Sequence, residues 1–220
     1  MNKYHKIPCV FERELDGSKQ LIFGKYINPD IESIKDTLWI FTEKVDGTNI
    51  RIIWDGYSVT FKGRTDDSKI PVPLMESLNK IFDSTAEQVF EQLFGEKKVI
   101  LFGEGYGGNI QAAGPKYRKD FSFILFDVYF PDSDLFLERT NVHSIANSFG
   151  IDCVPIIMID TLPNAINFVM THPDSKIAEK PVEMEGLIGY PMYNFRYRSG
   201  NRIIVKIKYK DLKPFLGQKL

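Results

Sequence analysis

Apolar positions along this chain recur with two periods, and the stretches between them are punctuated by glycine, proline and aspartate. Alternation at every second residue is clearest from Val205. Val205, Ile207 and Tyr209 take one face, and Lys206, Lys208 and Lys210 take the other, as in a half-buried strand. Further strands are predicted over residues 38–41, 49–54, 57–62, 98–102, 121–130, 154–159, 182–190 and 202–209. The helical period appears over residues 73–94, where Leu74, Leu78, Ile81 and Phe82 form one apolar face. Val89, Phe90, Leu93 and Phe94 continue that face after a polar break near Ser84, and Gly95 ends it. Residues 138–149, stopped by Gly150, and 164–170, stopped before Pro173, are the other predicted helices. Residues 4–36 are mixed, with turn signals at Asp16-Gly17 and Asn28-Pro29-Asp30. The pattern predicts one α+β domain spanning residues 1–220, with a large, mainly antiparallel sheet and residues 1–36 packed on it as an N-terminal segment.

Composition narrows the class without defining it. The chain has 220 residues, 43% hydrophobic and 26% charged, with a formal net charge of −1. That length supports a substantial core, and that charge excludes a general nucleic-acid coat, so any nucleic-acid contact must be a local basic patch. No signal peptide and no bilayer-spanning run is visible, so no membrane partner and a cytoplasmic location are expected. Cys9 and Cys153 match no metal spacing and read as two reduced thiols. His5, His143 and His172 fit no catalytic constellation.

Candidate chemistry begins at Lys44, in Glu43-Lys44-Val45-Asp46-Gly47-Thr48-Asn49, just after an apolar strand. A lysine there could be a nucleophile aimed into a site. Asp55-Gly56 reads as a two-residue hairpin turn. Trp54 would then pair with Tyr57, and continuing that register sets Gly47 opposite Arg64. Arg64 is thereby either folded back beside the Lys44 loop to hold substrate or a solvated strand-end arginine. Residues 99–102 run into Gly103-Glu104-Gly105, which places Glu104 at a strand end among glycines that let a ligand approach. Gly103, Gly105 and Gly108, with Asp127 beyond, also satisfy a dinucleotide-binding pattern, but that requires a helix to open at once, and Gly114-Pro115 breaks the segment. Phe126-Asp127 lies in an apolar run, with Phe121, Phe123 and Leu125 on one face and Ile124, Phe126 and Val128 on the other. Glu183 and Glu185 share a strand face, either around a cation or in solvent, and the Lys206/Lys208/Lys210 face is either a solvated edge or a phosphate clamp.

Taken in order, Lys-x-Asp-Gly at Lys44, Arg64, Phe-Gly-Glu-Gly around Glu104, Phe126-Asp127, Glu185-Gly186, and Lys-x-Lys at Lys206 and Lys208 resemble the motifs of the covalent nucleotidyltransferase superfamily. That superfamily holds DNA ligases, RNA ligases and mRNA capping enzymes. Asn49, where DNA ligases usually place arginine, is more similar to the RNA ligases, especially the double-strand-sealing type. The resemblance covers residues 38–212. It implies an ATP-grasp-like adenylyltransferase domain of antiparallel sheets flanked by helices, and an ATP-dependent RNA ligase that joins 3′-hydroxyl and 5′-phosphate ends of RNA, or DNA. Lys44 would attack the α-phosphorus of ATP and carry AMP, then pass it to a 5′-phosphate, after which a 3′-hydroxyl displaces it.

The attacking amine must shed its proton, and Lys206, Lys208 and a bound Mg²⁺ or Mn²⁺ are the cations that would assist and neutralise phosphate charge. By the same resemblance Glu104 holds ribose, Phe126 stacks on adenine, and Glu185 binds the metal, with Asp46, or orients Lys44. Glu43, Asn49 and Arg64 contact the nucleotide or strand end. Lys116, Arg118 and Lys119, and a second group of Arg196, Arg198 and Arg202, would touch backbone phosphates or stand in solvent. The chain stops soon after the Lys-x-Lys strand, where relatives continue into an OB-fold or a helical domain. No C-terminal OB-fold is therefore expected, and a substrate-gripping partner is, alongside an end-processing kinase or phosphatase. The alternatives are a minimal DNA ligase, a GTP-using capping-type guanylyltransferase, and a nucleotide-binding module without turnover.

Overall fold

The computed structural model of the chain describes residues 3–218. In chain order the first elements are β1 (Phe11–Arg13), β2 (Leu21–Tyr26), α1 (Pro29–Ser33), β3 (Trp39–Glu43), β4 (Thr48–Trp54) and β5 (Val59–Lys62). Next come α2 (Val72–Ile81), α3 (Ser84–Phe94), β6 (Val99–Gly107), α4 (Gly114–Tyr117), β7 (Phe121–Phe130), β8 (Leu135–Phe136) and α5 (Arg139–Phe149). The last are β9 (Asp152–Cys153), β10 (Ile156–Asp160), α6 (Leu162–Met170), β11 (Gly186–Pro191), β12 (Val205–Lys208) and α7 (Tyr209–Leu212). The chain divides into two compact units, each discontinuous in sequence. The first comprises residues 3–5, Asp46–Val154 and Ala178–Lys180; the second comprises Lys6–Val45, Pro155–Ile177 and residues 181–218.

The first unit is built on a sheet in the order β5-β4-β6-β7-β8, with β9 also paired to β7. One face is covered by helices. Ile50, Ile52, Trp54, Leu101, Phe123, Leu125 and Val128 from the strands pack with Leu74, Leu78, Phe90, Phe94, Val142 and Ala146 from α2, α3 and α5. The single predicted helix over 73–94 is two helices, broken at Phe82-Asp83, because the Asp83 carboxylate accepts from the N–H groups of Thr85 and Ala86 and starts a new helix. The opposite face follows from register. Asn49 pairs with Glu104 and Glu104 with Ile124; Arg51 pairs with Phe102 and Phe102 with Asp127.

Two expectations about this sheet are corrected. Trp54 pairs with Val59, not Tyr57. The Asp55 carboxylate accepts from the N–H groups of both Tyr57 and Ser58, so residues 55–58 make a four-residue loop and the register moves by two. Pairing stops at Arg51↔Lys62, and Gly47 has no partner in β5. In β7 the register shifts between Phe102↔Asp127 and Gly103↔Leu125, so Phe126 is an inserted bulge residue. The bulge turns Val128 onto the helix-covered face with Leu125.

The second unit holds the sheet β10-β3-β11-β12, antiparallel throughout. Trp39, Phe41, Leu187, Val205 and Ile207 pack against Leu162, Ala165, Ile166 and Val169 of α6. Beyond β12, residues 8–10 add a parallel edge: Lys206 N–H donates to Pro8 O (2.9 Å) and Val10 N–H to Lys206 O (3.1 Å). The predicted strand over 202–209 is shorter than its alternation implied. It ends at Lys208, and Tyr209 and Lys210 begin α7. The predicted strand over 182–190 begins only at Gly186. There φ is +152° and an added Cβ would lie 1.9 Å from Ile207 O, so only glycine lets β11 start against β12.

Candidate active site

Lys44 directly follows β3. Because Glu43 pairs with Leu187, the next step along β3 brings Lys44 N–H onto Gly186 O at 2.9 Å. On the other side of β11, Gly186 pairs with Lys208. The central strand of the three thus sets Glu185 between two lysines. Glu185 Oε2 accepts from Lys44 Nζ at 2.6 Å, and Oε1 accepts from Lys208 Nζ at 2.6 Å. Burial alone would raise the Glu185 pKa, but the ammonium groups of Lys44 and Lys208 outweigh it and hold the carboxyl below its ordinary value. It therefore stays ionised and serves as an anchor for the two lysines.

Lys206 shares the open face of β12 with Lys208 and pairs with no carboxylate among the described residues. Burial first, then the positive charges of Lys208, Lys44 and Arg13, push its ammonium down, against the opposing influence of Cys9. Arg13 in turn donates to Asp211 at 2.7 Å and to the Cys9 sulfur at 2.9 Å. This is a cationic surface only partly neutralised from within, which suits a phosphate-bearing ligand.

Glu43 is placed differently from its neighbour. It is buried, accepts from Ser175 Oγ, and accepts from Lys176 N–H at 2.8 Å. Burial raises its pKa despite those bonds. Its carboxylate holds the 175–176 backbone to the end of β3. Of the two roles implied for Glu185, orienting Lys44 fits the geometry. Both its oxygens already hold ammonium groups, and no three His, Cys, Asp or Glu side chains gather as a metal cage among the described residues. The described residues do not build a cation site by themselves, and Asp46, the first residue of the Asp46–Val154 segment, is partly buried.

In the first unit, the face of the sheet away from the helices carries Asn49 and Glu104 as direct cross-strand partners, with Phe126 farther along β7. Asn49 Oδ1 is buried with no donor among the described residues, an acceptor that a ligand hydroxyl or amine would satisfy. Glu104 lies in the middle of β6, not at its end, and no helix opens behind it, which removes the dinucleotide-binding alternative. The flanking glycines serve the opposite face. A Cβ on Gly103 would lie 2.2 Å from the Phe123 ring, and one on Gly105 would lie 2.5 Å from Leu74 Cδ2. They are small because the helix-side core is full, rather than to admit a ligand. Asp127 is wholly buried and accepts from Tyr4 Oη (2.9 Å) and Arg139 (3.3 Å). The Phe126 ring meets Tyr4 edge-on at 5.0 Å.

Arg64 is exposed in the bend after β5. What fixes that bend is a residue the sequence reading passed over. Arg51, 0% exposed, donates from Nε to Gly63 O (2.8 Å) and from Nη2 to Asp66 Oδ1 (2.7 Å), gripping the turn on both sides of Arg64. The signal was available: Asn49 and Arg51 alternate with Ile50, Ile52 and Trp54, so a charged side chain was due on the polar face.

Among the basic residues, Lys116 and Lys119 are exposed. Arg118 is engaged with Asp120 through two bonds, at 2.7 and 3.0 Å, and with Tyr106 Oη at 3.3 Å. The bond to Asp120 chiefly raises its pKa, and burial pushes the Tyr106 hydroxyl up to about 12. Arg196 and Arg198 are exposed on the hairpin after β11.

The chain is an α+β protein of antiparallel sheets flanked by helices, in which a lysine and a basic strand share one carboxylate. The RNA ligase family model matches residues 37–208, and the chain belongs to that family. Among solved structures, it is similar to a Naegleria gruberi RNA ligase variant with ATP and manganese, at 20% identity and a TM-score of 0.63, over 82% of this chain and 52% of that one. It is similar also to the same ligase with pyrophosphate, at 21% identity and a TM-score of 0.64, over 86% of this chain and 55% of that one. At such identities the likeness is one of fold, and the chain spans about half the length of these ligases. No curated protein sequence matches. No helix among the described residues is long and apolar enough to cross a membrane.

Proposed function

We propose that this chain is the nucleotidyltransferase portion of an ATP-dependent RNA ligase, with Lys44 as the nucleophile that carries AMP. The observation that carries this reading is the Lys44–Glu185–Lys208 triad, each contact 2.6 Å, with Lys206 beside it on β12. Lys44 Nζ, having given one proton to solvent, forms a bond to the α-phosphorus of ATP while the bond to pyrophosphate breaks, and the nitrogen then sheds a second proton to solvent, leaving one N–H on the phosphoramidate. Glu185 holds Nζ in place, and its depressed pKa makes it an orienting group rather than a proton store. Lys206 and Lys208 face the developing charge on the phosphate oxygens. The AMP then passes to a 5′-phosphate, and attack by a 3′-hydroxyl on that phosphate joins the strands and releases AMP.

Asn49 and Glu104 bind the nucleotide through its sugar or base edge, Phe126 contributes an aromatic surface, and Arg64 meets phosphate. Glu43 acts through the loop it holds rather than by a contact of its own. A divalent cation would enter on the nucleotide's own phosphates, since the side chains of the described residues form no cage. The test is incubation with α-labelled ATP or GTP, followed by intact mass measurement and ligation of RNA and DNA ends. Wild-type protein should take label from ATP, and Lys44→Ala should take none while melting as a folded protein. Label retained by Lys44→Ala, or taken only from GTP, would overturn the assignment.

A further inference from the structure

The hairpin that leaves β11 at Pro191 and returns at Ile203 takes no part in the site described above, yet its composition and exposure are unusual. From Gly186 to Lys210 the chain contains no aspartate or glutamate, while Arg196, Arg198, Arg202, Lys206, Lys208 and Lys210 all fall within it. A protein whose net charge is −1 thus concentrates cations in one short stretch. Interleaved with them are aromatic residues, and these divide into two kinds. Tyr197 faces inward: its hydroxyl accepts from Asn28 Nδ2 at 3.1 Å, and its ring packs at the margin of the second unit's core. Tyr193 and Phe195 face outward, 66% and 38% exposed. Their ring centroids are 6.2 Å apart and the planes are inclined by 48°, so neither ring covers the face of the other.

The backbone beneath these rings is fixed. Met192 N–H donates to Leu38 O, Tyr197 N–H to Asn201 O, and Ile203 N–H to Phe195 O. Arg196 pairs across the hairpin with Arg202, and one Arg196 nitrogen donates to Gly200 O at 3.0 Å, with Arg198 exposed beyond it. Large apolar rings held in water need a reason, and a preformed arm of rings and guanidinium groups offers two kinds of attraction at once. A polyanion with flat apolar faces satisfies both, through phosphates on arginine and bases on the rings. A single strand of RNA presents one flat base for each phosphate along its length, so the rings and the guanidinium groups of one short arm are met by the same repeat. We propose that this hairpin is a stacking platform for a single-stranded segment of RNA, with Tyr193 and Phe195 under the bases and Arg196 and Arg198 on the flanking phosphates. The inference rests on the ligase reading, in which the strand that receives AMP has to be gripped.

The experiment measures fluorescence anisotropy of a short fluorescein-labelled single-stranded oligoribonucleotide with the full chain, across a salt series. Melting curves serve as the folding control. Tyr193→Ala with Phe195→Ala should weaken binding by about tenfold or more and leave the salt slope unchanged. Arg196→Gln with Arg198→Gln should reduce the slope by roughly 1.4, about 0.7 for each lost phosphate contact on a single strand. Affinity within twofold of wild type in the aromatic variant overturns the proposal, as does a wild type that fails to bind the oligonucleotide. Loss of a wild-type dimer in the aromatic variant, with RNA affinity intact, would make the arm a protein contact instead and also overturn it. Labelling of wild-type Lys44 by ATP alone separates the two readings. RNA binding through the arm without that label would sink the ligase reading and leave this one standing.

Discussion

Replacing Glu185 by glutamine tests whether one carboxylate organises the lysine pair. Each ammonium lies 2.6 Å from its own carboxylate oxygen. With charge centres about 4 Å apart and an effective dielectric constant near 20, each attraction is worth about 4 kcal/mol. Much of that is offset by desolvating a carboxylate whose side chain is only 17% exposed. The net value of each charge-assisted bond is then about 1.5–3 kcal/mol. Glutamine retains one acceptor oxygen but turns an NH₂ group toward the second ammonium, so one bond is lost and the other weakened. The expected cost at neutral pH is about 3 kcal/mol, or a melting temperature lower by roughly 6–12 °C for a chain of this size.

The pH dependence supplies the discriminating result. The folded-state pKa of Glu185 is depressed, because Lys44 and Lys208 outweigh the opposing effect of burial. Its stabilisation is therefore fully present above the unfolded carboxyl value, near 4.3, and is lost as pH falls through the lower folded value. Scanning calorimetry of Glu185→Gln and wild type at neutral pH and into the acid range should show the gap in melting temperature closing on the acid side. A gap that persists unchanged in acid, or is absent at neutral pH, would refute the bridging role.

The remaining predictions concern neighbouring residues. Glu43→Gln should behave in the opposite way, melting at or above wild type at neutral pH. Burial raises the Glu43 pKa, so the wild type loses stability as pH rises from the unfolded carboxyl value through the folded one, and glutamine removes that loss; a clearly lower melting temperature would count against it. Gly103→Ala should destabilise by about 1–3 kcal/mol, because its Cβ would strike the Phe123 ring at 2.2 Å; a chemical melt matching wild type would show that the ring gives way. Arg51→Met should lower the rate of AMP labelling in the wild-type background but add nothing in an Arg64→Ala background, since Arg51 holds the turn on both sides of Arg64; multiplicative losses in a double-mutant cycle would mean that the two act separately.

Local pattern made much of the site legible. Val205-Lys206-Ile207-Lys208 alternates with the pleat, so the two lysines share a face whatever strand lies beside them. The Glu-Gly step at Glu185-Gly186 and the ordered motifs around Lys44, Glu104 and Phe126 stood in the sequence as a set that resembles one superfamily. The helix ends at Gly95 and Gly150 were likewise visible, because a glycine just past an apolar face stops a helix wherever it occurs. What failed was anything that depended on counting across a turn. Asp55-Gly56 looked like a two-residue turn, but the Asp55 carboxylate captured two amides and lengthened it, and every pairing beyond moved by two residues. Strict alternation also missed the extra residue at Phe126, since a bulge is a relation between β7 and β6 and leaves no mark on either strand alone.

The sequence by itself determined which residues carry charge, which faces are apolar, and that Lys44, two acids and a basic strand occur in an order that resembles one superfamily. Tertiary structure decided which of them meet. Only the order β10-β3-β11-β12 sets Glu185 between Lys44 and Lys208, which are far apart in the chain. Only packing against Phe123 and Leu74 shows that the glycines beside Glu104 serve the core. The reason is one of range: side-chain periodicity is fixed by each residue's nearest covalent neighbours, whereas strand order, register and bulges are fixed by contacts between segments that the sequence keeps apart.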